Sequence, residues 1–513
     1  MNLLDRETLD DLYRSSFEIL ERIGVAFDTA RARDTFEQHG FRIENGRVFF
    51  TEKQVTDCLA LMPKEGAPAE GTCAAPTLMP DNRAAPTPAA DDRAAPNAAV
   101  SDRAVSAPAS PAAEHRAATG VRTVHASTPF LNAPMLLDHV QERFRRVELD
   151  DFIRALVMLE TSELYTDANP GLVDPVDLHC DDNYLAQVAL TLRYSSKPLS
   201  IGIRAAKNSA KDGDVYTSQR NAIQLVKRFY GRDDEVFEQS VCPMSPLAYD
   251  EECLGNLDAL LDEGQSVTFC PCTISSLTGP ETLAGVVAHD LALCLAGIVY
   301  VQTVKPGTAV TLCNFSTIAD VRSLMPAYGG PESVRLQLMF REVCRPLDIA
   351  CSVYGMGCDN LSVDYEGGME AALTTFLPFA LSDLEELWCY PGSMAAFAGA
   401  SFRKMVLDED LIRCANRALD TGYAREDDLL GKLENGIGFG SFLPLTDMDS
   451  YRRDCFLPYA FSRQSISAGA ATNERDIIEK IEQELARRES SYVRPRLEKE
   501  QLKLLEPWLP AGY

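Results

Sequence analysis

IACSVYGMGCDNLSVDYEGGMEAAL, residues Ile349 to Leu373, is the stretch whose reading decides the fold. Its first residues, Ile349-Ala350-Cys351-Ser352-Val353, are small or β-branched and read as a buried strand. They run into Tyr354-Gly355-Met356-Gly357-Cys358-Asp359-Asn360, whose glycines mark a turn. Ser362 or Asp364 can then cap a helix that begins near Tyr365 and buries Leu373, Phe376 and Leu377. The polar turn therefore stands at the carboxyl end of a buried strand, where parallel α/β folds place their chemistry. An ordinary strand-to-helix loop has the same pattern.

Outward from this unit, the pattern repeats. Strands are expected at 164–168, 198–204, 236–242, 266–271, 308–313, 349–354 and 386–390, with an eighth near 438–443. Amphipathic helices are expected between them, at 181–195, 217–230, 250–263, 281–303, 331–345, 364–381 and across 403–433. Eight strand-then-helix units favour a closed TIM-type (β/α)8 barrel over residues 121–470. No GxGxxG or P-loop follows any of these strands, which counts against a nucleotide-binding open sheet.

Three further segments flank or interrupt the α/β region. Residues 1–63 read as a helical N-terminal appendage with a hairpin at Asn45-Gly46 and a Thr51/Gln54 capping box. Residues 64–120 are rich in Ala, Pro, Asp and Arg, with a degenerate ten-residue repeat. They hold too little branched or aromatic side chain to offset ordering entropy, so a disordered insertion is expected. Residues 471–513 read as a C-terminal helical tail, packed outside the barrel or at a contact in a homo-oligomer.

A net charge of −27 over 513 residues argues against nucleic acid and anionic membranes as partners, and would attract a cationic small molecule. The N-terminal residues carry acids where a signal peptide needs basic and apolar regions, so a cytoplasmic location is expected. The 15 scattered cysteines fit free thiols in a reducing compartment.

Residues just past the expected strands are the candidates for chemistry. Histidines are scarce there, which leaves little for acid–base work. The aromatics Phe315, Tyr354, Tyr390 and Phe439 can pack as core or rim, or together form a cage for a quaternary ammonium group. Asn314, Asp359 and Asn360 are polar anchors, and Arg204 can pair with a substrate carboxylate. Cys242, Cys270 and Cys272 can meet from adjacent strands and, with His179 or His289, bind zinc as a thiolate activator.

The segment Asp364-Tyr365-Glu366-Gly367-Gly368-Met369-Glu370 resembles the Asp-x-Gln-Ala-Gly-Tyr-Glu motif of the trimethylamine and glycine betaine corrinoid methyltransferases. SFEILERIGVAFDTARARDTFEQHGFRIENGRVFFTEKQVTDCLALMP, Ser245-Pro246-Leu247, GPETLAGVVAHDLALCLAGIVYVQTVKPGTAV, GASFRKMVLDEDLI and GIGFGSFL are similar to that family in the same order. The resemblance implies a TIM-type barrel that moves a methyl group from a methylated amine to the Co(I) corrinoid of a separate corrinoid-binding protein, with no tightly bound cofactor of its own. The trimethylamine enzymes carry pyrrolysine in the region aligned with Gly355 to Asn360. Ordinary residues stand there in this chain, which favours a quaternary amine such as a betaine. Asp359, Asn360 and Tyr354 are then the expected catalytic residues, and Phe315, Tyr390, Phe439, Arg204 and Asn314 the substrate-binding ones. A zinc-thiolate methyltransferase and a non-catalytic quaternary-amine binder are the alternatives.

Overall fold

The computed structural model describes residues 3–63, 122–199, 202–203, 214–236, 239–382, 384, 386–420, 428–461, 463 and 473–513. Arg204 and the segment 64–120 lie outside the described residues. The protein is a mixed α/β structure in which short parallel strands alternate with helices. One five-stranded sheet runs Ala350–Ser352, Val310–Cys313, Val267–Phe269, Gln239–Val241, Gly202–Ile203 in spatial order, every pairing parallel. The stretch Ile349 to Leu373 folds as its sequence dictates. Its strand is followed by Tyr354–Gly355 and then by the helix Tyr365–Leu381, whose first turn Asp364 caps by accepting from the Gly367 N–H.

Tyr354–Gly355 pairs in parallel with Glu386–Cys389, and that strand with Thr123–Ala126. Single parallel bridges join Ala126 to Tyr165 and Ala168 to Leu199. The expected strand at 438–443 is corrected. Leu429–Phe439 is a helix that ends on Gly440 at φ 66°, followed by a 3-10 turn at Leu443–Leu445. Leu429, Leu430, Leu433 and Ile437 recur at helical spacing, and the glycines of GIGFG serve its end. The strand that pairs with Glu386–Cys389 is instead Thr123–Ala126, four residues that directly follow the alanine- and proline-rich segment.

The longest helix, Leu283–Val304, is apolar on all sides and would be long enough to cross a membrane, but 89% of its most apolar window is buried inside the protein. Gly297 makes that burial possible, because a Cβ there would overlap the Tyr249 hydroxyl and the Phe269 ring. The N-terminal elements pack on the same helix, and the Ser16 hydroxyl donates to the Ala288 carbonyl at 3.0 Å. Val25–Phe27 also adds in parallel to Ala248–Tyr249. The Thr51/Gln54 capping box forms as its sequence suggests.

Candidate functional site

Past the carboxyl ends of Val310–Cys313 and Ala350–Ser352, the chain delivers Phe315 and Tyr354 to one place. Their rings stack at 4.0 Å and 6°. The Tyr390 ring lies 6.2 Å from Phe315. Two aromatics not singled out from the sequence join them. Tyr328 follows the short strand Pro326–Ala327, and Phe397 sits in the tight connection between Ser393–Met394 and Gly399–Ala400. Tyr354 is 1% exposed, burial pushes its hydroxyl well above the usual phenol range, and that hydroxyl has no partner among the described residues. Phe439, assigned to the same cage from the sequence, belongs instead to the helix Leu429–Phe439 and not to a strand end.

A buried carboxylate underlies this cluster. Asp290, on the helix Leu283–Val304, is fully buried. It accepts from the Thr273 hydroxyl at 2.6 Å, the Asn314 amide at 2.8 Å and the Ser316 hydroxyl at 2.6 Å, with His289 Nδ1 at 3.0 Å. Asn314 and Ser316 flank Phe315, so Asp290 fixes the backbone that presents that ring. Asn314 is spent in this role, since its carbonyl oxygen accepts from the Ser316 N–H at 3.0 Å. Among the described residues the only ion-pair partner of Asp290 is His289.

Asp359 is likewise a fastener. Its two oxygens accept from the Tyr328 and Gly329 N–H groups at 2.7 and 2.8 Å, and burial raises its pKa against the pull of those two bonds. Glu370 accepts from the Asp359 and Asn360 N–H groups at 2.8 and 3.1 Å, and its pKa is also raised by burial. Gly329 is required beside it, because any Cβ would strike the Glu370 side chain. Asn360 lines a separate cavity of about 130 Å³ with Lys404 and Asp408, so the structure does not bring it to the aromatic cluster.

The thiols form a rung. Val241, Phe269 and Leu312 are register partners on three adjacent strands, and Cys242, Cys270 and Cys313 are the next residue on each. The Cys272 thiol donates to the Cys270 carbonyl at 3.4 Å, and the neighbouring Cys270 and Cys272 thiols lower the pKa of Cys242. All four sulfurs contact the aromatic cluster. Among the described residues, no group of three His, Cys, Asp or Glu side chains is arranged to hold a metal ion.

Five aromatic rings thus gather near the ends of parallel strands, with the buried Asp290 bonded to the residues on either side of Phe315. The chain matches the trimethylamine methyltransferase (MTTB) family over residues 1–70 and 110–509, and it belongs to that family. It is 28% identical over 506 residues to a proline betaine:corrinoid methyltransferase of Eubacterium limosum, covering 97% of this chain and 95% of that one. It is 26% identical to an L-carnitine:corrinoid methyltransferase of the same organism, covering 99% and 97%. A glycine betaine methyltransferase of Desulfitobacterium hafniense (strain Y51) is 23% identical, covering 80% and 76%. Among solved structures, the monomethylamine methyltransferase of Methanosarcina barkeri aligns over 96% of this chain and 89% of that one, with a TM-score of 0.48 and 9% identity.

Proposed function

We propose that this chain transfers a methyl group from a quaternary amine of the betaine type to a corrinoid carried by a separate protein. The observation that carries the reading is the cluster of Phe315, Tyr354, Tyr390 and Tyr328, with the Asp290 carboxylate bonded to the two residues that flank Phe315. Ring faces attract a fixed positive charge, and a buried anion without a lysine or arginine partner adds to that attraction. A quaternary nitrogen carries no proton and leaves as a neutral tertiary amine, so no general base is asked of the chain. The corrinoid supplies the nucleophile that takes the methyl carbon. The chain's part is to hold the cation in line and keep water from it. Met244, Leu277, Val321, Leu324 and Met325 are exposed on loops beyond the strands, and they suit the approach of a partner protein.

The parallel pairings support a closed TIM-type barrel, in which Thr123–Ala126 would take one of eight strand positions and the bridges Ala126–Tyr165 and Ala168–Leu199 would lie along the ring. Arg204 directly follows Gly202–Ile203 and is assigned to the substrate carboxylate. The test mixes the protein with a reduced corrinoid protein and proline betaine, carnitine, glycine betaine or trimethylamine, and follows the corrinoid's visible spectrum. A change with at least one quaternary amine is expected. No change with any of them would sink the reading. Tyr354→Ala is expected to lose about 0.5–2 kcal/mol of cation binding, seen as a rise in KM of roughly 3- to 30-fold.

A further inference from the structure

Phe397 does not stand beside the other four rings. It stands among them. Its centroid lies 5.2 Å from that of Tyr328, 5.9 Å from Tyr354, 6.1 Å from Phe315 and 6.1 Å from Tyr390, with interplanar angles of 70°, 69°, 63° and 90°. A cation held by these rings would sit within about 6 Å of each centroid, which is the position the Phe397 ring occupies. Every one of its contacts is edge-to-face, the arrangement in which a positive ring edge meets a negative ring face. The side chain fills the space among the four rings that a trimethylammonium group would need.

The backbone that puts it there is unusual. Ala395, Ala396 and Phe397 have φ values of 48°, 55° and 66°, three successive non-glycine residues in the left-handed region. They are pinned from the stretch Ile349 to Leu373. The Ala395 N–H donates to the Asn360 carbonyl at 3.1 Å and the Ala396 N–H to the Cys358 carbonyl at 2.8 Å. The hairpin is closed by Ser393–Ala400 and Met394–Gly399 pairing. Phe397 is only half-buried, so part of it already meets solvent, and its sequence neighbours Ala395, Ala396 and Ala398 are small.

We propose that Phe397 is a specificity-determining plug, an internal stand-in for the substrate cation that must swing out before a quaternary ammonium group can enter. This rests on the functional reading above. It makes entry a competition between a tethered ring and the incoming head group, so the ring sets which head groups are admitted. A ring that instead served as a wall of the cage would stay and contact the cation.

The two roles give opposite signs on substitution. Full-length protein and its Phe397→Ala and Phe397→Trp variants, each checked for an intact thermal transition, are titrated with tetramethylammonium and with glycine betaine by calorimetry. Phe397→Ala is expected to bind about tenfold tighter, because nothing has to be displaced. Phe397→Trp is expected to bind more weakly, because a larger ring is harder to move. Weaker binding by Phe397→Ala together with tighter binding by Phe397→Trp, the best cation–π face, would overturn the plug. If no cation binds to any of the three, the functional reading falls and a second readout still judges the plug. Neutral methyl methanethiosulfonate should modify the half-buried Cys242 and Cys272 faster in Phe397→Ala than in the parent. Equal rates there would overturn it.

Discussion

Asp290 illustrates how a single buried charge organises a site that lies on other elements. It accepts from Thr273, Asn314 and Ser316 while fully buried, and two of these flank Phe315. Asp290→Ala would strand three buried donors, at a cost of about 3–5 kcal/mol. The expected result is a lower thermal midpoint together with loss of betaine binding. Asp290→Asn, which keeps the shape and removes the charge, should fold better and still bind the cation more weakly. Equal affinity in Asp290→Asn would deny the carboxylate any electrostatic role. This residue was not legible in advance. In sequence it is one polar position in a long apolar helix, and only the fold shows that it reaches the ends of two strands. Phe315, Tyr354 and Tyr390 were legible, since each follows a recognisable strand. Phe397 had a signal that went unused, the one bulky residue in Ala395-Ala396-Phe397-Ala398-Gly399-Ala400. Asn314, Asp359 and Asn360 were correctly seen as polar residues at strand ends. Their side chains hold the loops, the first two through bonds to Asp290, Tyr328 and Gly329.

At the scale of elements, the strands expected at 198–204, 236–242, 266–271, 308–313, 349–354 and 386–390 each contain an observed one, while short strands outside that alternation escaped the reading. Thr123–Ala126 alternates in burial, but over only four residues and just past a segment of low complexity. Leu429–Phe439 was misread because its glycines resemble strand punctuation. The C-terminal helix Asn473–Ser491 was anticipated, but its anchor was not. Arg488 is 2% exposed, donates to both oxygens of Glu409 at 2.9 and 2.5 Å, and reaches Glu484 at 2.7 Å. Glu409 belongs to the helix Phe402–Leu419 and is fully buried, so this pair ties the tail to the α/β region. Among the described residues, removing the guanidinium leaves the buried Glu409 with only its longer, 3.6 Å ion pair to Arg413. Arg488→Ala should therefore cost about 3–5 kcal/mol, read by denaturant melts, and speed proteolysis within the tail. Arg488→Lys should recover only part of this, because an ammonium cannot form the paired contact with Glu409. Full recovery by lysine would mean that charge alone, and not the fork geometry, secures the helix.

At the scale of the whole molecule, the family match passes over residues 71–109 while running through nearly everything else. That gap falls inside the segment whose composition is alanine, proline and charge, with almost no side chain able to build a core. Folding stability scales with the apolar area a segment can bury, and a composition so poor in large apolar side chains has little to bury. Deleting residues 71–109 and joining the flanks with a short glycine–serine linker should therefore leave the thermal midpoint and the betaine affinity unchanged. A drop in midpoint of more than about 4 °C would correspond to roughly 4 kcal/mol in a chain of this size, and would mean that the segment packs against the core after all. A deletion that keeps the midpoint but halts methyl transfer to the corrinoid protein would place the segment at the partner's approach instead. In that case cation binding by the isolated enzyme and turnover with the partner would separate, and the two assays run side by side distinguish a passive insertion from a docking element.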